Sequence, residues 1–161
     1  KNQEMRMSFD LDGFLPYRLS VAAARISRRF AGLYGPEAGL TIPEWRVMVH
    51  LNDQGSLTPS QLGVATSMDK ARVSRALILM DKKSLISRRV DQQDKRVAHI
   101  CLTESGKDLF VRIEPEVMAW NGRLAKEMPE QQHEHLLQAL KTVELWCKAQ
   151  GLTPNEVEED F

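Results

Sequence analysis

The densest set of groups able to grip a polyanion lies between Asp69 and Arg96. In Asp69-Lys70-Ala71-Arg72-Val73-Ser74-Arg75, helical spacing turns Val73 inward and leaves Lys70, Arg72, Ser74 and Arg75 facing out. An arginine guanidinium bonds a guanine edge bidentately, serine reaches base edges or phosphate, and lysine neutralises phosphate. Just upstream, Thr58 and Ser60 stand where a short helix begins, offering hydroxyls and free N–H groups to a phosphate. Ser67 sits in the turn between the two helices. Just downstream, Arg88, Arg89, Lys95 and Arg96 form a second cationic run. An arginine near a hairpin tip suits a narrow minor groove, where the potential is most negative. This is the chemistry of a double-stranded DNA reader. No Gly-rich phosphate loop, nucleophile elbow, metal-ligand cluster or Cys/His pairing accompanies it, so neither enzyme activity nor a cofactor is expected. His133 and His135 are two residues apart on a helix, point apart, and are expected to hold no metal.

The net charge of zero over 161 residues conceals an asymmetry. Residues 58–96 hold nine Lys or Arg against four acids, a net of +5, while residues 103–161 carry −6. A basic segment on an otherwise acidic body is the footprint of a phosphate-binding module. Hydrophobic content of 42% and charged content of 27% fit an ordinary globular chain. No apolar run reaches the roughly 20 residues of a membrane span, and no signal-peptide pattern opens the chain, so a cytoplasmic protein is expected. Cys101 and Cys147 form no spaced framework and read as reduced, small buried hydrophobes rather than redox sensors.

These groups need a scaffold, and the residue pattern supplies one. Residues 14–33 carry Leu15, Leu19, Ala22, Ile26, Phe30 and Leu33 as one helical stripe, interrupted by Gly32, Gly35, Pro36 and Gly39. Thr41-Ile42-Pro43-Glu44 and Thr58-Pro59-Ser60-Gln61 both read as N-cap, early proline and capping-box acceptor. The first opens a helix to Gly55, the second a short helix to about Ala65, and Asp69 caps a third running to about Lys83. The segments 86–90 and 96–102 switch to strand character around a polar turn, giving a hairpin. A long helix follows from Thr103, with Pro115 expected to bend it, and a last helix spans about 130–149. The expected fold is mainly α with a small β-hairpin wing. Its parts are an N-terminal helix and linker at 14–40, a winged helix-turn-helix at 41–102, C-terminal helices at 103–150 and an acidic tail at 151–161.

Met68-Asp69-Lys70-Ala71-Arg72-Val73-Ser74-Arg75, then Asp91-Gln92-Gln93-Asp94-Lys95-Arg96, then Leu102-Thr103-Glu104-Ser105-Gly106, together resemble the MarR (multiple antibiotic resistance regulator) family. They are similar to its recognition helix, its wing and the start of its long dimerisation helix, and the likeness implies that Asp94, with Asp91, braces the wing while Arg96 enters the minor groove. The resemblance spans roughly residues 14–149, departing at Gln92, where Pro is frequent, and Ser67, where Gly is frequent. It implies an obligate homodimer in which the N- and C-terminal helices interlock, with two winged domains on a palindromic operator, usually as a repressor. The stripes at 14–33 and 130–149 agree independently, since a lone chain would expose both.

The resemblance also implies release from DNA by a small, often aromatic, anionic effector. The residues expected to line such a cleft are Tyr17, Arg18, Ser20, Ala24 and Arg25, with Trp45, Met48 and His50. Similarity to regulators of aromatic-acid catabolism extends the expectation to a coenzyme A thioester, its phosphates held by Arg25, Arg28 and Arg29. The competing expectations are that Trp45 and Met48 are core residues, and that the winged helix serves protein contact without DNA.

Overall fold

The computed structural model describes residues 10–90 and 98–151, apart from the side chains of residues 35–37. In chain order these form α1 (Leu15–Ala38), α2 (Ile42–Gln54), α3 (Pro59–Thr66), α4 (Lys70–Lys82), β1 (Ile86–Val90), β2 (Ala98–Leu102), α5 (Glu104–Lys126) and α6 (Glu130–Ala149). The helix starts follow their caps. Glu44 Oε2 accepts from the Thr41 N–H at 2.8 Å and Thr41 Oγ1 accepts from the Glu44 N–H, closing a capping box on α2. Thr58 and Gln61 repeat the device on α3, and Asp69 Oδ1 caps α4 by accepting from the Arg72 N–H at 2.6 Å. Each such cap contributes about 1 kcal/mol.

The helix ends are equally specific. After α3 the Met68 N–H reaches the Gly63 carbonyl, with Ser67 left-handed at φ 55. After α4 the Leu85 N–H reaches the Met80 carbonyl, with Ser84 at φ 57. Both are Schellman closures, and both put serine where glycine is favoured. The departure at Ser67 is thus accommodated in the backbone rather than avoided.

β1 and β2 pair antiparallel, with Ile86 opposite Leu102 and Val90 opposite Ala98, and Leu57 adds a single bridge to Ile100 on the far side of β2. Leu51, Leu62, Met80 and Ile100 are at most 1% exposed and fill the space between α2, α3, α4 and the hairpin. Fully burying side chains of this size stabilises by about 1.5–3 kcal/mol each. An aromatic group joins this core to the flanking helices. Tyr34 of α1 stacks on Trp45 of α2 at 5.0 Å, and Trp45 stacks on Phe110 of α5 at 5.7 Å. Phe30 packs against Tyr34, Trp45 and Trp120.

Two expectations need correction. α1 continues past residue 33 to Ala38, through Gly32, Gly35 and Pro36, and stops at Gly39 with φ +60. A glycine before proline lacks the Cβ that ordinarily clashes there, so the pre-proline bias against helix is weak. Cys101 and Cys147 are half-buried rather than buried, because Cys101 lies on the hairpin face away from Ile100 and Cys147 on a helix that buries no side chain.

Candidate nucleic-acid interface

α4 is held by Val73, Ala76, Leu77 and Met80, which are buried at helical spacing on one face. The opposite side therefore faces solvent: Lys70, Arg72, Ser74 and Arg75 are all exposed, while Val73 is 2% exposed. Asp69 does double duty at the start of this helix, capping Arg72 N and meeting Arg72 Nε at 3.2 Å. The Arg72 side chain remains 56% exposed, and such a surface pair contributes at most about 1 kcal/mol, so Arg72 can exchange it for a base or phosphate at little cost. Among the described residues no ion pair engages Arg75.

Three chain segments converge beside α4. Ser60 near the start of α3, Lys70 and Ser74 on α4, and Arg88 on β1 line one concavity of about 600 Å³. Its apolar members are Pro59, Gly63, Met68, Val73 and Leu77, none of which the charge pattern singled out. Strand alternation turns Arg88 to the same side as buried Ile86 and sends Arg89 to the opposite side. Ser67 is exposed at the α3–α4 turn. Asp91, Asp94, Lys95 and Arg96 lie outside the described residues.

One of the nine basic residues belongs elsewhere. Lys83, at the end of α4, turns its ammonium inward to Glu44 Oε1 at 2.6 Å, and Glu44 is wholly buried. Charge counting missed this pair because its members are 39 residues apart and follow no period.

The head of α5 grips the turn after α4. Thr103 donates its N–H to the Leu85 carbonyl at 3.0 Å and its hydroxyl to the Ser84 carbonyl at 2.7 Å. A Cβ at Gly106 would overlap the Leu85 carbonyl oxygen. The Thr-Glu-Ser-Gly signature is thus a close backbone approach that only glycine permits.

The residues expected around an effector divide into two groups. Tyr17, Arg18, Ala24, Arg25, Arg28 and Arg29 are exposed along α1, Ser20 is half-buried with its hydroxyl on the Tyr17 carbonyl, and Arg18 meets Asp12 at 3.4 Å. Trp45 and Met48 are 7% and 0% exposed inside the core, and His50 is half-buried beside them in sequence. Burial of Tyr34 beneath the same aromatic stack pushes its hydroxyl up to about 12, against a lesser opposing pull from Arg46, and that hydroxyl finds no hydrogen-bond partner among the described residues.

Comparison with known proteins agrees with this geometry. The family model described as MarR family matches residues 38–97. The HTH-type transcriptional regulator SarZ of Staphylococcus epidermidis is 30% identical over 89 residues, 55% of this chain; the chain spans 60% of that relative's length. A probable transcriptional regulator from Pseudomonas aeruginosa is similar in structure at a TM-score of 0.75 and 28% identity, over 83% of this chain and 99% of that one. The transcriptional repressor CouR, bound to a 23-mer DNA duplex, shares the fold at a TM-score of 0.74 and 21% identity, over 83% of this chain and 94% of that one. These matches name transcriptional regulators and no enzyme. Over residues 38–97, which hold α2, α3, α4 and β1, the chain is similar to the MarR family.

Proposed function

We propose that this chain is a sequence-specific, double-stranded DNA-binding transcriptional regulator that acts as a homodimer on a palindromic operator. The observation that carries the reading is the convergence of Ser60, Lys70, Ser74 and Arg88 from three separate elements around one concavity, beside exposed Arg72 and Arg75. A helix of this width fits the major groove, with its first residues at the base edges. Lys70, Arg72, Ser74 and Arg75 occupy the first two turns of α4. In this reading Ser60 and Ser67 sit beside the phosphates and Arg88 and Arg89 follow the backbone, while Lys95, Arg96, Asp91 and Asp94 belong to the expected wing and lie outside the described residues. CouR, solved on a DNA duplex, lends the reading support from a shared fold.

The dimer reading rests on the ends of the chain. α6 buries no side chain, and Leu136, Leu137, Leu145 and Trp146 are 44–61% exposed, as are Leu15 and Ile26 on α1 at 55% and 44%. The control reading is repression relieved by an aromatic acid or its coenzyme A thioester held along α1, where no acid stands between Leu15 and Tyr34 beside Arg25, Arg28 and Arg29, and Arg18 meets the exposed Asp12.

A gel shift on the promoter beside its own gene at two salt concentrations tests the function. Binding is expected to weaken steeply with salt, because each phosphate contact releases counterions. Arg72→Ala and Arg75→Ala are expected to weaken binding and relax base preference by about 1–3 kcal/mol per lost base contact, and Arg96→Ala to weaken it with the fold retained. Wild-type binding by all three variants overturns the residue assignment, and no DNA binding at all favours a protein-contact role. For the effector, hydroxycinnamic acids and their thioesters are expected to raise the melting temperature of the folded chain by mass action.

A further inference from the structure

Lys83 follows the last residue of α4, and its side chain leaves the DNA-facing side altogether. Its ammonium donates to Glu44 Oε1 at 2.6 Å and to the Gly39 carbonyl at 2.5 Å. Gly39 is the left-handed residue that ends α1, and Glu44 lies in the first turn of α2. One side chain therefore ties the far end of α4 to the junction between α1 and α2.

The comparison with α3 shows that the charge on Glu44 serves this tie. Both helices open with the same capping box, and α3 closes its box with neutral, exposed Gln61. A carboxylate is therefore not needed for capping. Glu44 Oε2 already accepts the Thr41 N–H and hydroxyl, each at 2.8 Å, and Oε1 turns to Lys83. A wholly buried carboxylate without a cation is strongly disfavoured, so Glu44 holds Lys83 in place rather than tolerating it. On the other side of the same turn, the Ser84 and Leu85 carbonyls are held by Thr103 at the head of α5. Fixed from two directions, the end of α4 cannot tilt independently of α1 and α5.

We propose that Lys83 is a positioning residue: it latches α4 to the α1–α2 junction and sets the angle at which the recognition helix is presented relative to α1. The inference rests on the DNA-reading function proposed above. In a two-fold dimer joined through its terminal helices, that angle fixes the separation of the two α4 helices. Duplexes carrying both half-sites therefore sense the latch, and a single half-site does not.

The test uses the full chain and a duplex it enriches from a random library, the same duplex with one half-site scrambled, and an unrelated duplex. K83M is expected to lose about tenfold or more in affinity for the intact duplex. Its affinity for the other two is expected to stay within about twofold of wild type. K83R, which keeps the cation, is expected to recover most of the loss. The double variant E44Q/K83M buries no unpaired carboxylate and keeps a capping box of the Gln61 kind, so it is expected to melt like wild type and still show the selective loss. Undiminished binding of the intact duplex by K83M and by the double variant overturns the latch, and so does an equal loss on all three duplexes. If the wild type enriches no duplex, the DNA-reading function itself fails and the latch falls with it; enrichment by wild type with undiminished variant binding overturns the latch alone.

Discussion

Between Ile42 and Ile113 the chain builds a core of its own, with Leu51, Leu62, Met80 and Ile100 at most 1% exposed. α6 buries none, and leaves Leu145 and Trp146 59% and 61% exposed. The two regions have comparable helices, and hydrophobic periodicity reads equally well in both. What differs is whether the partner for the apolar stripe lies within the same chain. The winged unit holds both halves of each contact, while α6, with α5 as its main neighbour, holds one half. A stripe without a lid is half of an interface. The contrast also separates two kinds of role: the closed region fixes the geometry of the basic groups, and the open region is where the proposed dimer would join two copies of it.

Four variants break or sharpen the contrast. Leu51→Ala, inside the closed region, is expected to cost about 2–5 kcal/mol in urea unfolding, since the cavity it leaves is lined on every side. A cost below 1 kcal/mol means the winged core is loosely packed. Gly106→Ala is expected to cost about 1–3 kcal/mol, because the clash is with a backbone carbonyl that Thr103 also holds. Wild-type stability there shows that the head of α5 can shift. Tyr34→Phe is expected to be neutral, or stabilising by up to about 1 kcal/mol, since the hydroxyl is buried with no partner among the described residues. The sign with pH follows from the raised value of about 12. Folding holds the phenol neutral, so this contribution is intact below pH 10 and is lost as pH climbs from 10 through 12. Alkaline unfolding of the Phe variant is expected to lack that part of the slope. Leu136→Glu with Leu145→Glu is expected to change the intrinsic stability of the winged unit by less than about 0.5 kcal/mol. If a second copy covers α6, the same pair halves the sedimenting mass and removes the concentration dependence of melting; an unchanged sedimentation profile shows that the face is open in solution.

Much of the closed region was legible because its signals are local. Thr41, Thr58 and Asp69 mark helix starts within three residues of the groups they cap, and the hairpin announces itself by a change of period. The outward set on α4 followed from Val73 alone. The hidden parts are those in which distant segments meet. Lys83 looked like one more surface cation, and only the fold brings it to Glu44. Gly106 looked like a family habit, and only the approach of Leu85 explains it. Trp45 and Met48 had two readings that periodicity cannot separate, and their burial within the aromatic group is set by α1 and α5 together. The length of α1 was misjudged because glycine and proline are strong punctuation singly but weaker as a Gly-Pro pair.

The hairpin has one further consequence. Leu57 occupies the outer side of β2 with its bridge to Ile100, whereas the outer side of β1 is unpaired among the described residues. An open strand edge is a template for adding a strand from another molecule. Here the edge bears two adjacent guanidinium groups, Arg88 and Arg89, and a second copy brought alongside presents the same two. Charge repulsion therefore guards against edge-to-edge aggregation, and the guard is lifted where these arginines are neutralised by phosphate. Under the proposed DNA-reading function, protection of this edge and contact with phosphate are drawn from the same pair of side chains.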